Sequence, residues 1–231
     1  FSDAVKIKAN FKESKLKILD LKKFYKELNG EDVVSFSGNL DGNLNDFDIE
    51  KLLLSSVKGI YLNGDLSFKN AVNSERGFIF NADLKNLTAT DKELRDILPN
   101  VLGKILPSEL DKFGQFNIQG KVQLTPALMS ASVRVKSQIG TFISDLEITD
   151  VAAIDTASYS GDIQLESFDI GALFNNPVFG KIFLKGQVDG RGFKLENINT
   201  KFIGNITEFN FNGYCYKNII ANGQYQNNKF D

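Results

Sequence analysis

The chain has 231 residues, 42% of them hydrophobic, and its 27 Lys and Arg nearly cancel 29 Asp and Glu for a formal net charge of -2. That material suffices for a sizeable core in one long domain or two short ones, and the charge balance argues against both a nucleic-acid-binding surface and a highly charged disordered tail. There is no His, no Trp, one Cys and one Met, so soft-metal sites, Ser-His-Asp or Cys-His catalysis and an internal disulfide are all disfavoured; no cofactor and no enzymatic activity are expected.

Residues 1–12 read as a strand already under way, without the basic, apolar and small-residue regions of a signal peptide. Asp20 is placed to cap a short helix over residues 20–29 with Leu21, Phe24, Tyr25 and Leu28 on one face. Period-two alternation then dominates. Val34, Phe36, Gly38, Leu40, Gly42 and Leu44 alternate with Ser and with Asn or Asp at every intervening position from 35 to 43. The pattern returns at Ile60, Leu62, Gly64, Leu66 and Phe68, and at Phe78, Phe80, Ala82 and Leu84.

Thr90 with Glu93 forms a capping box that opens a helical segment over 90–106, kinked or broken at Pro99; Pro107 begins a further turn with Leu110 and Phe113. That segment reads either as a cap over part of an apolar sheet face or as a plug inside a groove. Alternation resumes at Phe116, Ile118, Gly120, Val122 and Leu124, then at Met129, Ala131, Val133 and Val135, and again at Tyr159, Gly161, Ile163 and Leu165. A third short helix is expected over 168–174, followed by strands at Ile182, Leu184, Gly186, Val188 and Gly190, at Phe202–Ile206, at Phe209–Phe211 and at Ile219–Tyr225. The last residues lie in another strand pattern, so the chain is expected to be a single segment, 1–231, of a longer elongated protein that continues at both ends. No apolar run approaches the roughly 18–20 residues of a membrane helix.

A dozen strands with two or three short helices leave an apolar sheet face that must be hidden by a second sheet, by curling, or by a ligand. A two-sheet sandwich and one long sheet curled into a trough are both compatible with the alternation. A short internal repeat favours extension: Gly38-Asn39-Leu40-Asp41-Gly42 matches Gly186-Gln187-Val188-Asp189-Gly190, and Leu44–Ile49 matches Leu165–Ile170. The glycines within strands mark bends or close approaches, and their spacing does not fit a phosphate-binding loop. Asp41, Asp48, Asp65, Asp83, Asp169 and Asp189 fall on polar faces or turns, a pattern of solvated surface. Cys215 between Tyr214 and Tyr216 reads as a structural thiol. Lys and Arg are scattered, so no anionic-headgroup patch stands out.

The stretch from Phe168-Asp169-Ile170-Gly171-Ala172-Leu173 through Gly180-Lys181-Ile182 to Gly186–Phe193, with Phe211-Asn212-Gly213-Tyr214-Cys215-Tyr216-Lys217-Asn218-Ile219 and Gly223, resembles the AsmA-like, TamB-type family of Bacteroidetes character. Those proteins are the large subunits of the bacterial translocation and assembly module. Leu84–Leu87, Ile97-Leu98-Pro99, Ile105-Leu106-Pro107 and Gly38–Gly42 fit as well. The resemblance covers most of residues 30–231 and is most specific in the last third.

What it implies is an all-β fold: an elongated, curled, mostly antiparallel sheet, the β-taco, a U-shaped trough with an apolar interior. It implies a bridge-like lipid-transfer segment in the periplasm of a Gram-negative bacterium, anchored in the inner membrane by a helix outside this segment. Phospholipid and an Omp85-class, TamA-like outer-membrane protein are the implied partners. The groove lining would then be Val34, Phe36, Leu40, Ile60, Leu62, Leu66, Phe68, Phe78, Phe80, Phe116, Ile118, Val122, Leu124, Val133, Val135, Ile163, Leu165, Ile182, Leu184 and Val188. Without the resemblance, the same residues read as ordinary core. The alternatives are a scaffold for assembling outer-membrane β-barrel proteins and, less favoured without Trp, a carbohydrate-binding sandwich.

Overall fold

The computed structural model describes residues 4–23, 25, 32–97, 106–194, 196–226 and 229–230. They form one 13-stranded sheet in which spatial order follows chain order from β1 to β13 and every neighbouring pair is antiparallel. The strands are β1 Ile7–Lys17, β2 Val33–Gly42, β3 Phe47–Ser56, β4 Tyr61–Lys69, β5 Ile79–Thr90, β6 Gln115–Leu124, β7 Leu128–Ser137, β8 Gly140–Thr149, β9 Ser158–Asp169, β10 Phe179–Arg191, β11 Asn199–Phe211, β12 Tyr214–Gln226 and β13 Lys229–Phe230. No second sheet faces the first among the described residues, so the sandwich alternative is set aside. The fold is a single open sheet curled into a trough with an apolar interior. Twelve gaps of about 4.8 Å give a contour of roughly 58 Å from edge to edge.

The curl has two local causes. Extra residues enter β1 between Phe11 and Ser14, β3 between Ile49 and Leu52, β5 between Leu84 and Leu87, β9 between Leu165 and Phe168, and β11 between Ile206 and Glu208. A bulge of this kind bends its strand and increases the local twist. Glycines on the apolar face supply the second cause. A Cβ on Gly120 (φ 127°) would lie 2.2 Å from the Ser132 carbonyl oxygen of β7, and one on Gly161 (φ 138°) 2.1 Å from that of Asp145 in β8. Only a residue without a side chain lets neighbouring backbones fold this closely.

The bulges also change how the sequence is read. The expected separate strands at Phe202–Ile206 and Phe209–Phe211 are one strand, β11, because Thr207 is inserted and the apolar phase flips there. β3 and β8 do not announce themselves by alternation. In β8, Ser144 sits on the apolar side while Ile143 pairs with Arg134 and Gln164 on the polar side. The repeat is only partly structural. Gly38–Gly42 and Gly186–Gly190 both lie inside strands, but Leu44–Ile49 runs from a turn into β3, whereas Leu165–Ile170 leaves β9 for a helix.

Short helices occupy the connections. α1 is Ile18–Leu21, which overlaps the start of the expected 20–29; residues 24 and 26–29 of that expectation lie outside the described residues. α2 is Asp91–Ile97, and its capping box is made: the Glu93 amide donates to Thr90 Oγ1 (3.3 Å) and the Thr90 amide to Glu93 Oε2 (2.7 Å). Residues 98–105 of the expected 90–106 helix lie outside the described set. α3 is Ile170–Phe174, with the Asp169 side chain accepting from the Ala172 amide. Two 3-10 turns, Ser108–Phe113 and Val151–Thr156, matter for the site below.

Candidate functional site

Tracing cross-strand partners over the sheet assembles the apolar residues into parallel rows. One row reads Phe36, Leu54, Leu62, Leu87, Ile118, Val135, Phe142, Leu165, Leu184, Ile206, Ile219 from β2 to β12, with an apolar residue at every step. A second reads Leu40, Ile49, Leu66, Ala82, Val122, Ala131, Leu146, Gly161, Val188, Phe202, Gly223. Between them, Leu52, Gly64, Leu84, Gly120, Val133, Ser144, Ile163, Gly186 and Gly204 form a crease rich in small residues. Ser144 is buried there, with its hydroxyl donating to the Ala131 carbonyl at 3.1 Å, which removes the cost of a polar group on this wall.

The expected lining residues within these strands share this face. Ile60 and Phe78, just ahead of β4 and β5, pack with it. Val34, Ile60, Phe116, Leu124, Val133, Val135, Ile182 and Val188 are buried, and the rest of the twenty are half-buried. In the row from Phe36 to Ile219, Val135 alone is buried; every other member keeps partial access to solvent. A closed core would bury such a row throughout. An aromatic file flanks the second row, with ring centroids 4.7 Å apart for Phe47–Phe68 and 5.0 Å for Phe68–Phe80.

Part of the wall is roofed by the chain itself. Leu94 of α2 and Leu110 and Phe113 of the first 3-10 turn pack over Ile60, Ala89, Phe116, Val133 and Val135. Val151 and Ile154 of the second turn are buried over Leu124, Leu146, Tyr159, Val188 and Phe202. Ile170 and Leu173 cover Phe168 and Ile182. Near β2 and β3, the Tyr25 hydroxyl donates to the Leu44 carbonyl (3.0 Å), so the connection from β1 reaches the far end of β2; burial raises the pKa of this phenol.

The two 3-10 turns meet over the trough. Phe113 accepts from the Gln138 amide (3.1 Å) at one end of β8, while the Ser108 amide donates to Asp155 Oδ1 (3.0 Å) in the connection at the other end. Asp155 Oδ2 lies 2.9 Å from Lys194 Nζ. Burial pushes the Asp155 carboxyl up, but the Ser108 amide and the Lys194 ammonium outweigh it and hold it below the ordinary carboxylate range. The Ser108 hydroxyl is shielded from solvent beside this carboxylate. Periodicity gives no sign of this junction, because Ser108 and Asp155 both lie outside the strands.

The opposite face is polar. Its cross-strand rows include Asp65, Asp83, Lys121, Ser132, Asp145, Asp162 and Gln187. Concavities of about 510 and 710 Å³ on this side are lined largely by carboxylates, amides, hydroxyls and Lys or Arg. Asp41, Asp48, Asp83 and Asp189 are on this face, and Cys215 is exposed on β12. Among the described residues no cluster of His, Cys, Asp or Glu has the arrangement of a metal site, and no helix is long and apolar enough to cross a membrane. No family model matches the chain, and neither a curated protein nor a solved structure matches it.

Proposed function

We propose that the chain is a non-enzymatic segment of a bridge that carries phospholipid acyl chains along its apolar trough, as the resemblance to the AsmA-like, TamB-type family implies. The observation that supports this is the half-exposed apolar row from Phe36 to Ile219. It spans eleven strands, or roughly 48 Å at the usual strand spacing. Each methylene transferred from water to such a wall gains about 0.8 kcal/mol without specific geometry. Aliphatic and Phe side chains suit a cargo that slides rather than docks. In this reading the segment works in the periplasm between two membranes and joins, through the rest of its protein, an Omp85-class outer-membrane partner.

Protein purified from a bacterial host and extracted with organic solvent is expected to release phospholipid detectable by mass spectrometry. Ile219→Glu, on the half-buried end of the row in β12, is expected to cut the recovered lipid several-fold while leaving the β circular dichroism spectrum intact. Protein that retains no lipid in either form would defeat the proposal.

A second reading has its own observation. Among the described residues, only Tyr225 and Gln226 of β12 pair with β13, and Ile220 on the same strand is 86% exposed. An unprotected strand edge of this kind accepts further strands, as a scaffold for β-barrel clients would. Cross-links from the β12 edge to nascent barrel strands, with no lipid in the trough, would favour it.

A further inference from the structure

The roof over the trough is fastened differently at its two ends. At the β7–β8 end, Phe113 packs against Phe168 with ring centroids 5.8 Å apart, and Leu94 and Leu110 join the same apolar packing. At the far end the attachment is polar and narrow. The Ser108 amide donates a hydrogen bond to Asp155, and Ser108 is the one residue of the turn that bonds to it. The receiving side is built independently of the roof. Lys194 holds the Asp155 carboxylate at 2.9 Å, and the Asp155 carbonyl accepts from Asn197 Nδ2 (2.8 Å) and from the Phe193 amide (3.1 Å). Asp155 would therefore keep its place if Ser108 left. Within the roof, Arg95 binds the Asp91 carboxylate through Nε and the Leu106 and Pro107 carbonyls through Nη2 at 3.1 and 2.9 Å, so α2 and residues 106–107 are tied as a unit.

A segment that is hinged by apolar packing at one end and held at the other by one residue's bonding to a preformed acceptor has the design of a latch. Water can replace that polar contact, and beneath it lie apolar side chains with partial access to solvent, among them Ile163 and Leu184. We propose that the Ser108–Asp155 bond latches the 3-10 turn Ser108–Phe113 across the trough and gates entry of acyl chains to the wall between β6 and β10. The inference rests on the acyl-carrying reading above and adds a regulated opening to it.

Three forms test it with a fluorescent polyene fatty acid as probe. Ser108→Pro deletes the amide donor together with the side-chain hydroxyl; Pro107, at φ -54° and ψ 141°, already has the extended backbone that a following proline requires. Ser108→Cys with Asp155→Cys, in a Cys215→Ser background, allows the turn to be tied shut by a short bismaleimide. Loss of a charge-assisted hydrogen bond is expected to raise the rate of probe uptake roughly tenfold in Ser108→Pro. Tying the cysteine pair is expected to drop uptake well below that of the same protein before cross-linking. Should Ser108→Pro fail to fold, Asp155→Ala removes the acceptor without touching the roof and is expected to move uptake in the same direction. Equal uptake by native, latch-deleted and tied proteins overturns the latch and leaves the acyl reading standing. No uptake by any form overturns both.

Discussion

Asp155 shows how one side chain can tie distant parts of the chain together. Its carboxylate takes the Ser108 amide from the β5–β6 connection and the Lys194 ammonium from the β10–β11 connection. The fold depresses its pKa, so it favours the ionised form, and its contribution to stability is complete above the ordinary carboxylate value of about 3.9. That contribution is lost as pH falls through the lower, folded-state value. Lys194, raised by its hydrogen bond and attraction to Asp155, behaves in the opposite sense: its contribution is complete below its ordinary value and is lost as pH rises through the raised one. Thermal melts followed from pH 6 down to pH 2.5 are therefore expected to show a steeper loss below about pH 4 in the native protein than in Asp155→Ala. Parallel curves would remove Asp155 from the account. Nothing in the sequence marks this residue, because its partners come from segments 47 and 39 positions away whose approach is fixed only when the sheet curls.

At the scale of the strand, bulges and glycines decide the shape, and they decide what can be read from sequence. β2 is legible because Val34, Phe36, Leu40 and their polar neighbours never change phase. β3 is obscured because the residue inserted near Lys51 moves the apolar face from Ile49 to Leu52. β11 reads as two strands for the same reason at Thr207. The expected lining residues were legible where alternation was unbroken; Leu54, Leu87 and Phe142, which complete the central row from Phe36 to Ile219, fall just after bulges or in β8, where Ile143 and Ser144 obscure the alternation. The roof was legible as a capped helix at Thr90–Glu93 and a turn after Pro107 with Leu110 and Phe113, but a period of 3.6 says which side of a helix is apolar and not where that side is placed. Gly161→Ala tests the curl directly. The new methyl would meet the Asp145 carbonyl oxygen at 2.1 Å on a backbone at φ 138°, and an alanine forced to positive φ with such an overlap should cost about 1–3 kcal/mol in urea unfolding. Gly213→Ala is the control: its φ is also positive, at 76°, but nothing lies within 4 Å of the added methyl, so its cost should be the smaller. Equal costs at the two sites would show that strand proximity does not govern the bend.

For the whole molecule, one meandering sheet separates two surfaces of opposite character. The polar side carries near-balanced charges, including Lys121–Asp83 at 3.8 Å and Arg134–Glu166 at 3.0 Å, and exposed pairs of this sort contribute little to stability individually. The apolar side carries a continuous row that the fold gathers without fully burying. Strands at the two ends of this sheet differ in charge: β1 carries Lys8, Lys12, Lys15 and Lys17, whereas β12 exposes Tyr214, Tyr216 and Ile220 with Lys217 as its only charge. Site-specific photo-crosslinking from along the central row tests the proposed use of this wall most directly. A photoreactive phenylalanine placed in turn at Leu54, Ile118 and Ile206, and at the polar-face neighbours Ser55, Gln119 and Asn205, is illuminated in protein incubated with phosphatidylethanolamine vesicles. Adducts of phospholipid mass at all three apolar positions and at none of the polar ones are the expected result; adducts absent from the apolar row, or spread equally over both faces, would contradict the trough as a path for acyl chains.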